Sequence, residues 1–376
     1  MYGSKQSTET RRNRAAQRKR ELRIKMAATG IIVTLVVSVI VVRYIGGHSD
    51  SVSASAKQVA TTAEETVLQG DGDSNSQETV DQEAFASLQA DAQAAARAQL
   101  QRTSSNTYPT MGTNYQELAT TVIKCPYVAL LDVDSNKVIA GRSSTQRIYP
   151  ASMTKVMTLI VAVEHLKSLE DTYTMTNEIL YPLVRAEATR AGFDPGEVVN
   201  AKDMLYGLIL PSGADASICL ANMISGSEAQ FAVLMNQKAQ ELGLKDTHFT
   251  NTSGLHDSNH YTTPTDMAVI MAYAMKNPIC SQVLSTYTYT TAPTPQHPQG
   301  IPLVSNMYSR MYGNEVEGVI ITGGKTGYTG EALQCLVSYA IKDGNRYVAV
   351  TTGATNKWSC VYDTFELYRN YALTAN

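Results

Sequence analysis

The 376-residue sequence predicts an α/β fold of the α+β kind: an antiparallel sheet flanked by helices and joined to a mainly helical region, preceded by one N-terminal transmembrane helix and a stalk. Three observations carry that expectation. Short β-branched and apolar runs stand near both ends of the stretch that begins at residue 107, and runs of helical periodicity fill its middle. A charge-free apolar run with a basic flank opens the chain, and a low-complexity segment separates that run from the rest.

Residues 1–25 hold nine Lys and Arg against Glu9 and Glu21, a local balance of +7 in a chain whose net charge is −3. They read as a basic cytoplasmic tail. Residues 26–42, MAATGIIVTLVVSVIVV, are seventeen positions without a charge, closed by Arg43. A membrane-spanning helix needs roughly 17 to 25 residues, so residues 26–46 are expected to anchor the chain in the cell membrane as a single pass. The basic flank stays inside and everything beyond Gly46 is placed outside. A cleaved signal is the other reading, since SASA ending at Ala56 offers a small-residue cleavage site; both readings put the folded part outside the cell. A nucleic-acid-binding tail has no need of an adjoining apolar span, and no nucleic-acid partner is expected. Residues 47–106 are rich in Ser, Ala, Thr, Gln and Glu and poor in large apolar side chains, which describes a stalk, helical in part around VDQEAFASLQADAQAAARAQLQR.

Core-type residues become dense only after Tyr108, and residues 107–376 suit one domain. YVALLDV and VIAG flank Asp134, Ser135 and Asn136, a hairpin signal. A helix opens at Ser152 in IYPASMTKVMTLIVAVEHL, with apolar residues on nearly every side of the wheel, which predicts a helix buried all round. AKDMLYGLIL, ADASICLANMI, SEAQFAVLMNQKAQELGL and PTDMAVIMAYAM continue the helical middle. EGVIITGG, LQCLVSYAI and RYVAVTTGA read as strands, the last two joined by Asp343, Gly344 and Asn345. A final helix, WSCVYDTFELYRNYAL, is expected to bury Trp358, Val361, Phe365, Tyr368 and Ala372 on one face. Strands at both ends and helices between them predict one sheet assembled from the two ends of the domain.

Five cysteines, Cys125, Cys219, Cys280, Cys335 and Cys360, are an odd number with no C-x-x-C spacing, so neither a disulfide framework nor a zinc site is indicated. They read as small apolar core residues. His248, His256 and His260 lack metal spacing and are expected to make structural hydrogen bonds, and Asp215 is expected to cap a helix.

Chemistry enters at Ser152 and Lys155. A lysine inside so apolar a helix is costly unless it is used, and the i, i+3 spacing lets its amine reach the serine hydroxyl. Pro150 and Ala151 lead into the helix, which leaves the Ser152 N–H among the free donors of a helix start. Lys325-Thr326-Gly327 stands at the end of a strand. It is not a phosphate loop, because Val319 occupies the position where that pattern needs its first glycine.

Ser152 and Lys155, a Ser-Gly loop at Ser212 and then Lys325-Thr326-Gly327, in that order, resemble the motif set of penicillin-binding proteins and serine β-lactamases. PASMTKVMT, LPSGADAS, LGLKDTHFTNTSGL, NHYTTPTDMA and GGKTGYT are most similar to the low-molecular-mass D-Ala-D-Ala carboxypeptidases, over about residues 126–354. The resemblance implies a β-lactamase/transpeptidase-like domain and removal of the terminal D-Ala from peptidoglycan stem pentapeptides, with β-lactams as covalent inhibitors. It implies Ser152 as the acylated nucleophile, Lys155 as its base and Ser212 as a proton relay. It implies further that Lys325 and Thr326 hold the substrate carboxylate, that Gly327 leaves room for the peptide, and that the N–H groups of Ser152 and Tyr328 form an oxyanion hole. No cofactor and no metal enter this scheme. Two departures stand out. Ala214 occupies the place of the family's usual Asn, which leaves open a catalytically weak or inactive membrane-tethered sensor of peptidoglycan. The chain also ends soon after its last helix, where some relatives are expected to continue into a further β-domain. A β-lactamase is disfavoured, since no Glu-x-x-Leu-Asn stretch separates Ser212 from Lys325.

Overall fold

The computed structural model describes residues 107–311 and 316–372. The basic tail, the span and the stalk expected from the sequence all lie outside the described residues. Among the described residues, no single helix is long and apolar enough to cross a membrane.

Strand β1 (Thr110–Glu117) precedes the expected hairpin of β2 (Tyr127–Asp132) and β3 (Lys137–Arg142), whose turn places Asn136 at φ 54°. Asn tolerates that left-handed conformation better than most residues, which is why the turn forms there. After a single 3₁₀ turn, Ala151–Thr154, the helical region follows: α1 (Lys155–His165), α2 (Asn177–Arg185), α3 (Ala201–Ile209), α4 (Ala214–Ser225), α5 (Glu228–Glu241), α6 (Pro264–Ala274) and α7 (Pro278–Ser285). Two short ribbons interrupt it, β4 (Thr172–Thr174) with β5 (Val198–Asn200) and β6 (Thr288–Thr290) with β7 (Pro302–Val304). The short helix α8 (Asn306–Met311) then leads to β8 (Val319–Thr329), β9 (Leu333–Lys342), β10 (Asn345–Ala354) and the last helix α9 (Lys357–Asn370).

Six strands form the main sheet in the order β1-β3-β2-β10-β9-β8, so the two ends of the domain meet where β2 pairs with β10. The sheet is antiparallel except at one edge, where β1 runs parallel to β3. Central strands buried on both faces should read as unbroken apolar runs, and β2 does. Val128 and Leu130 join the core under α9, while Ala129 and Leu131 join the larger core under the helical region. The helix α1 sits within that larger core, with every residue from Lys155 through Ala162 buried.

Two expectations need correction. The helix does not open as an α-helix at Ser152, because residues 151–154 form the tighter 3₁₀ turn and α1 proper begins at Lys155. Trp358 is 40% exposed and stacks on the exposed Tyr362, whereas Val361, Phe365, Tyr368 and Ala372 are buried as expected. In the first turn of α9 the indole ring is taken up by outer neighbours instead, Tyr362 stacked beside it and Lys357 Nζ 5.3 Å from its centroid.

Candidate active site

The 3₁₀ turn, the loop between α3 and α4, and the edge strand β8 converge on one place. Ala151 enters the turn at φ 46°, a left-handed conformation that a non-glycine residue adopts only under constraint, and Ser152 follows it directly. The turn lies flat against β8. A Cβ built on Gly327 would come within 3.0 Å of the Ser152 backbone nitrogen and 3.1 Å of the Pro150 oxygen, so only glycine lets strand and turn meet this closely.

One turn further, Lys155 Nζ donates to Ser152 Oγ at 3.2 Å and to the Ser253 carbonyl at 2.7 Å. Burial brings the amine down to about 7, against the opposing pull of the Asp215 and Glu228 carboxylates. The Ser253 carbonyl is itself held, since Asn251 Oδ1 accepts from the N–H groups of Ser253 and Gly254. Glu228 accepts from both the N–H and the hydroxyl of Thr252.

Ser212 is, like Ala151, held in a left-handed conformation, at φ 72°, and it is buried. That conformation directs its hydroxyl to Lys325 Nζ, 2.9 Å away; Lys325 also donates to the carbonyl of Thr326 at 2.8 Å. Burial pushes Lys325 well below the usual lysine range, and the positive charges of Lys155 and Arg310 push the same way. Two strained residues and two depressed lysines brought to one place are the pattern expected where chemistry rather than packing sets the design.

Lys325, Thr326, Gly327 and Tyr328 lie within β8, not at its end, since the strand runs on to Thr329. Among the described residues β8 pairs only with β9, so its other edge has no strand partner there, the geometry that strand addition by an extended chain uses. Thr326 is buried and Tyr328 is 58% exposed on that strand. Of the seven residues singled out in the sequence, Ser152 is on the turn, Ser212 in the loop and Lys325, Thr326, Gly327 and Tyr328 on β8, while Lys155 opens α1 directly after the turn.

Ala214 is buried at the start of α4, where its N–H donates to the Thr189 carbonyl at 2.8 Å. Beside it the Asp215 carboxylate accepts from Ala191, Gly192 and Ala216, tying the loop at residues 191–192 to the helix start. His260 is buried and neutral, held down to about 4 by burial. Its Nδ1 accepts from the Thr250 N–H, which leaves Nε2 to donate to Thr154 Oγ1 at 2.8 Å. The sequence reading missed two supports. Asn306 binds the Leu210 and Pro211 carbonyls and so fixes the Ser212 loop, and Arg310 lends charge to Lys325. Neither belongs to a motif, and no periodicity marks them.

A family model described as D-alanyl-D-alanine carboxypeptidase matches residues 114–356. The chain is 36% identical over 229 residues to the D-alanyl-D-alanine carboxypeptidase DacF of Bacillus subtilis, a match covering 60% of this chain and 56% of that one. It is 35% identical over 221 residues to DacB2 of Mycobacterium tuberculosis, covering 58% of this chain and 70% of that one. The chain thus spans little more than half the length of the first of these relatives. Among solved structures, the DD-transpeptidase of Streptomyces K15 superposes with a TM-score of 0.61 at 27% identity, over 68% of this chain and 100% of that one.

Proposed function

The chain belongs to the D-alanyl-D-alanine carboxypeptidase family, and from that premise we propose that it removes the terminal D-Ala of peptidoglycan stem pentapeptides through an acyl-enzyme on Ser152. Lys155 takes the Ser152 proton as the hydroxyl oxygen attacks the penultimate D-Ala carbonyl. The oxyanion that forms accepts from the N–H groups of Ser152 and Tyr328, a device typically worth about 3 to 4 kcal/mol per donor. Ser212, bound to Lys325, relays a proton to the departing amine of the terminal D-Ala. Lys325 and Thr326 receive the terminal carboxylate, and the peptide extends along the open edge of β8 beside Gly327. Water then repeats the attack on the ester with Lys155 again as base, and Ser152 is released.

One observation carries this reading: Lys155 Nζ stands 3.2 Å from Ser152 Oγ with its basicity brought to about 7. An amine so placed is a base at neutral pH, whereas an ordinary surface lysine is not. The unbroken Lys155–Ser152 and Lys325–Ser212 pairs favour turnover over a sensor role despite Ala214. The N-terminal run, with its +7 flank, supports a domain held outside the membrane by residues 26–46.

The test is mass spectrometry of the full chain. Penicillin should add one penicilloyl group on the peptide containing Ser152, Ser152→Ala should abolish the adduct, and a stem pentapeptide should lose one alanine. An adduct elsewhere, or an intact pentapeptide after prolonged incubation, would refute the proposal.

A further inference from the structure

Away from the cleft, Cys125 and Cys360 bring their sulfur atoms to 3.6 Å, and both residues are buried. Cys125 ends the segment that enters β2, and Cys360 lies in the first turn of α9, 235 positions away. Thiol contact is not all that joins them. Asp363, nearly one turn along α9, accepts from the N–H of Cys125 at 2.6 Å and of Lys124 at 2.8 Å. Thr351 on β10 donates to the Cys360 carbonyl at 3.1 Å, which fixes the other side of the helix start. Cys219 and Cys335 direct their thiols elsewhere, to the Met175 sulfur and to the Ala332 and Leu333 carbonyls.

We propose that Cys125 and Cys360 are a disulfide site, closed as the chain folds outside the cytoplasm, which fastens the entry of β2 to the C-terminal helix. The proposal rests on the exported placement given above, since disulfides persist in oxidising compartments. A bond needs the sulfur atoms at about 2.05 Å, a closure of less than the width of one atom from their present contact. Folded Cys125 is a poor nucleophile, since Cys360 and burial both push its thiol up. Closure therefore belongs to the stage before α9 docks. One cysteine thiolate then attacks a sulfur of a disulfide-bearing oxidant, either an oxidoreductase or a low-molecular-mass disulfide, and the second cysteine displaces that oxidant from the mixed disulfide. Two S–H bonds are lost and one S–S bond forms, while the oxidant takes up two electrons and two protons and leaves as two thiols.

The experiment uses the full chain recovered from cells with its thiols alkylated at once under denaturing conditions, then digested without reduction. The expected result is a linked pair of peptides carrying Cys125 and Cys360, two hydrogens lighter than the free pair, and a melting temperature that falls by roughly 5 to 10 °C on reduction in the wild type. Cys360→Ala should melt with no dependence on reductant. Recovery of both cysteines alkylated overturns the proposal, as does linkage of either one to a different cysteine. Refolding the reduced, denatured chain in glutathione disulfide then identifies the failed premise. A Cys125–Cys360 link formed there but absent from cells refutes the exported placement, and no link in either arm refutes the geometry. Penicilloylation of Ser152, measured on the same samples, reports the catalytic reading independently of both.

Discussion

Lys155 and Lys325 are both buried and both depressed, yet the same field asks opposite things of them. As the proposed base, Lys155 has to be neutral to accept a proton, and its fall to about 7 supplies a useful fraction of free amine near neutral pH. In the proposed reaction Lys325 carries charge when the substrate carboxylate arrives, and that anion would raise the lysine again by offsetting the positive charges of Lys155 and Arg310. The sign for the acylation rate follows from Lys155. Below pH 7 the amine is protonated and cannot act as base; above it the amine is free. Second-order acylation by penicillin, followed by stopped-flow over pH 5 to 9, should therefore rise about tenfold per pH unit on the acid side and flatten with a midpoint near 7. A flat profile, or one that midpoints above 9, would mean that Lys155 is not the base. Lys155 was legible from sequence because a cation in so apolar a stretch needs a use. The residues that tune it were not, since Asp215 and Glu228 lie on other helices and look like ordinary helix starts.

At the scale of elements, the decisive contact is the one between the 3₁₀ turn and β8. The sequence revealed the strand through VIIT and the motif through Lys325-Thr326-Gly327, but it showed the motif as a strand end. Its Gly323, Gly324 and Gly327 weaken a strand signal that depends on β-branched residues, and pairing with β9 carries the strand onward to Thr329 regardless. The ribbons β4 with β5 and β6 with β7 were illegible for another reason: each strand is three residues long, too short for alternation to register. Gly327 tests the contact. A methyl group there would meet the Ser152 nitrogen, the Ala151 Cβ and the Pro150 oxygen at 3.0 to 3.1 Å, tighter than ordinary packing, so the turn and strand must part by a few tenths of an ångström. Gly327→Ala should lower penicillin acylation by about 10- to 100-fold, because misplacing a nucleophile and its oxyanion donor by such distances is costly. Its melting temperature should stay within a few degrees of wild type, since the clash is confined to the sheet edge. A variant acylating at the wild-type rate would show that Gly327 is not what sets the distance between nucleophile and strand.

Across the whole molecule, the expectation that both ends of the domain build one sheet held because each end carries its own apolar runs. Which strands pair, and that β1 lies parallel to β3, depended on contacts between residues far apart in sequence, which local periodicity does not encode. The same closure brings Cys125 beside Cys360. The proposed placement of the domain outside the membrane rests on the charge and hydropathy of residues 1–46. In the proposed orientation the +7 segment remains on the cytoplasmic side, since moving nine cationic side chains through a bilayer is costly. The proposed reaction makes the same demand, because peptidoglycan stem peptides would reach Ser152 only outside the cytoplasm. Proteinase added to intact protoplasts should degrade the part beyond residue 46, while an epitope tag at the N-terminus survives as a small membrane-bound fragment until detergent is added. If residues 26–46 act instead as a cleaved signal, the domain appears in the medium and no tagged fragment of full anchor length remains. A full-length chain protected from the proteinase until the membrane is dissolved would place the domain in the cytoplasm, away from both peptidoglycan and an oxidising compartment, and would refute the exported placement.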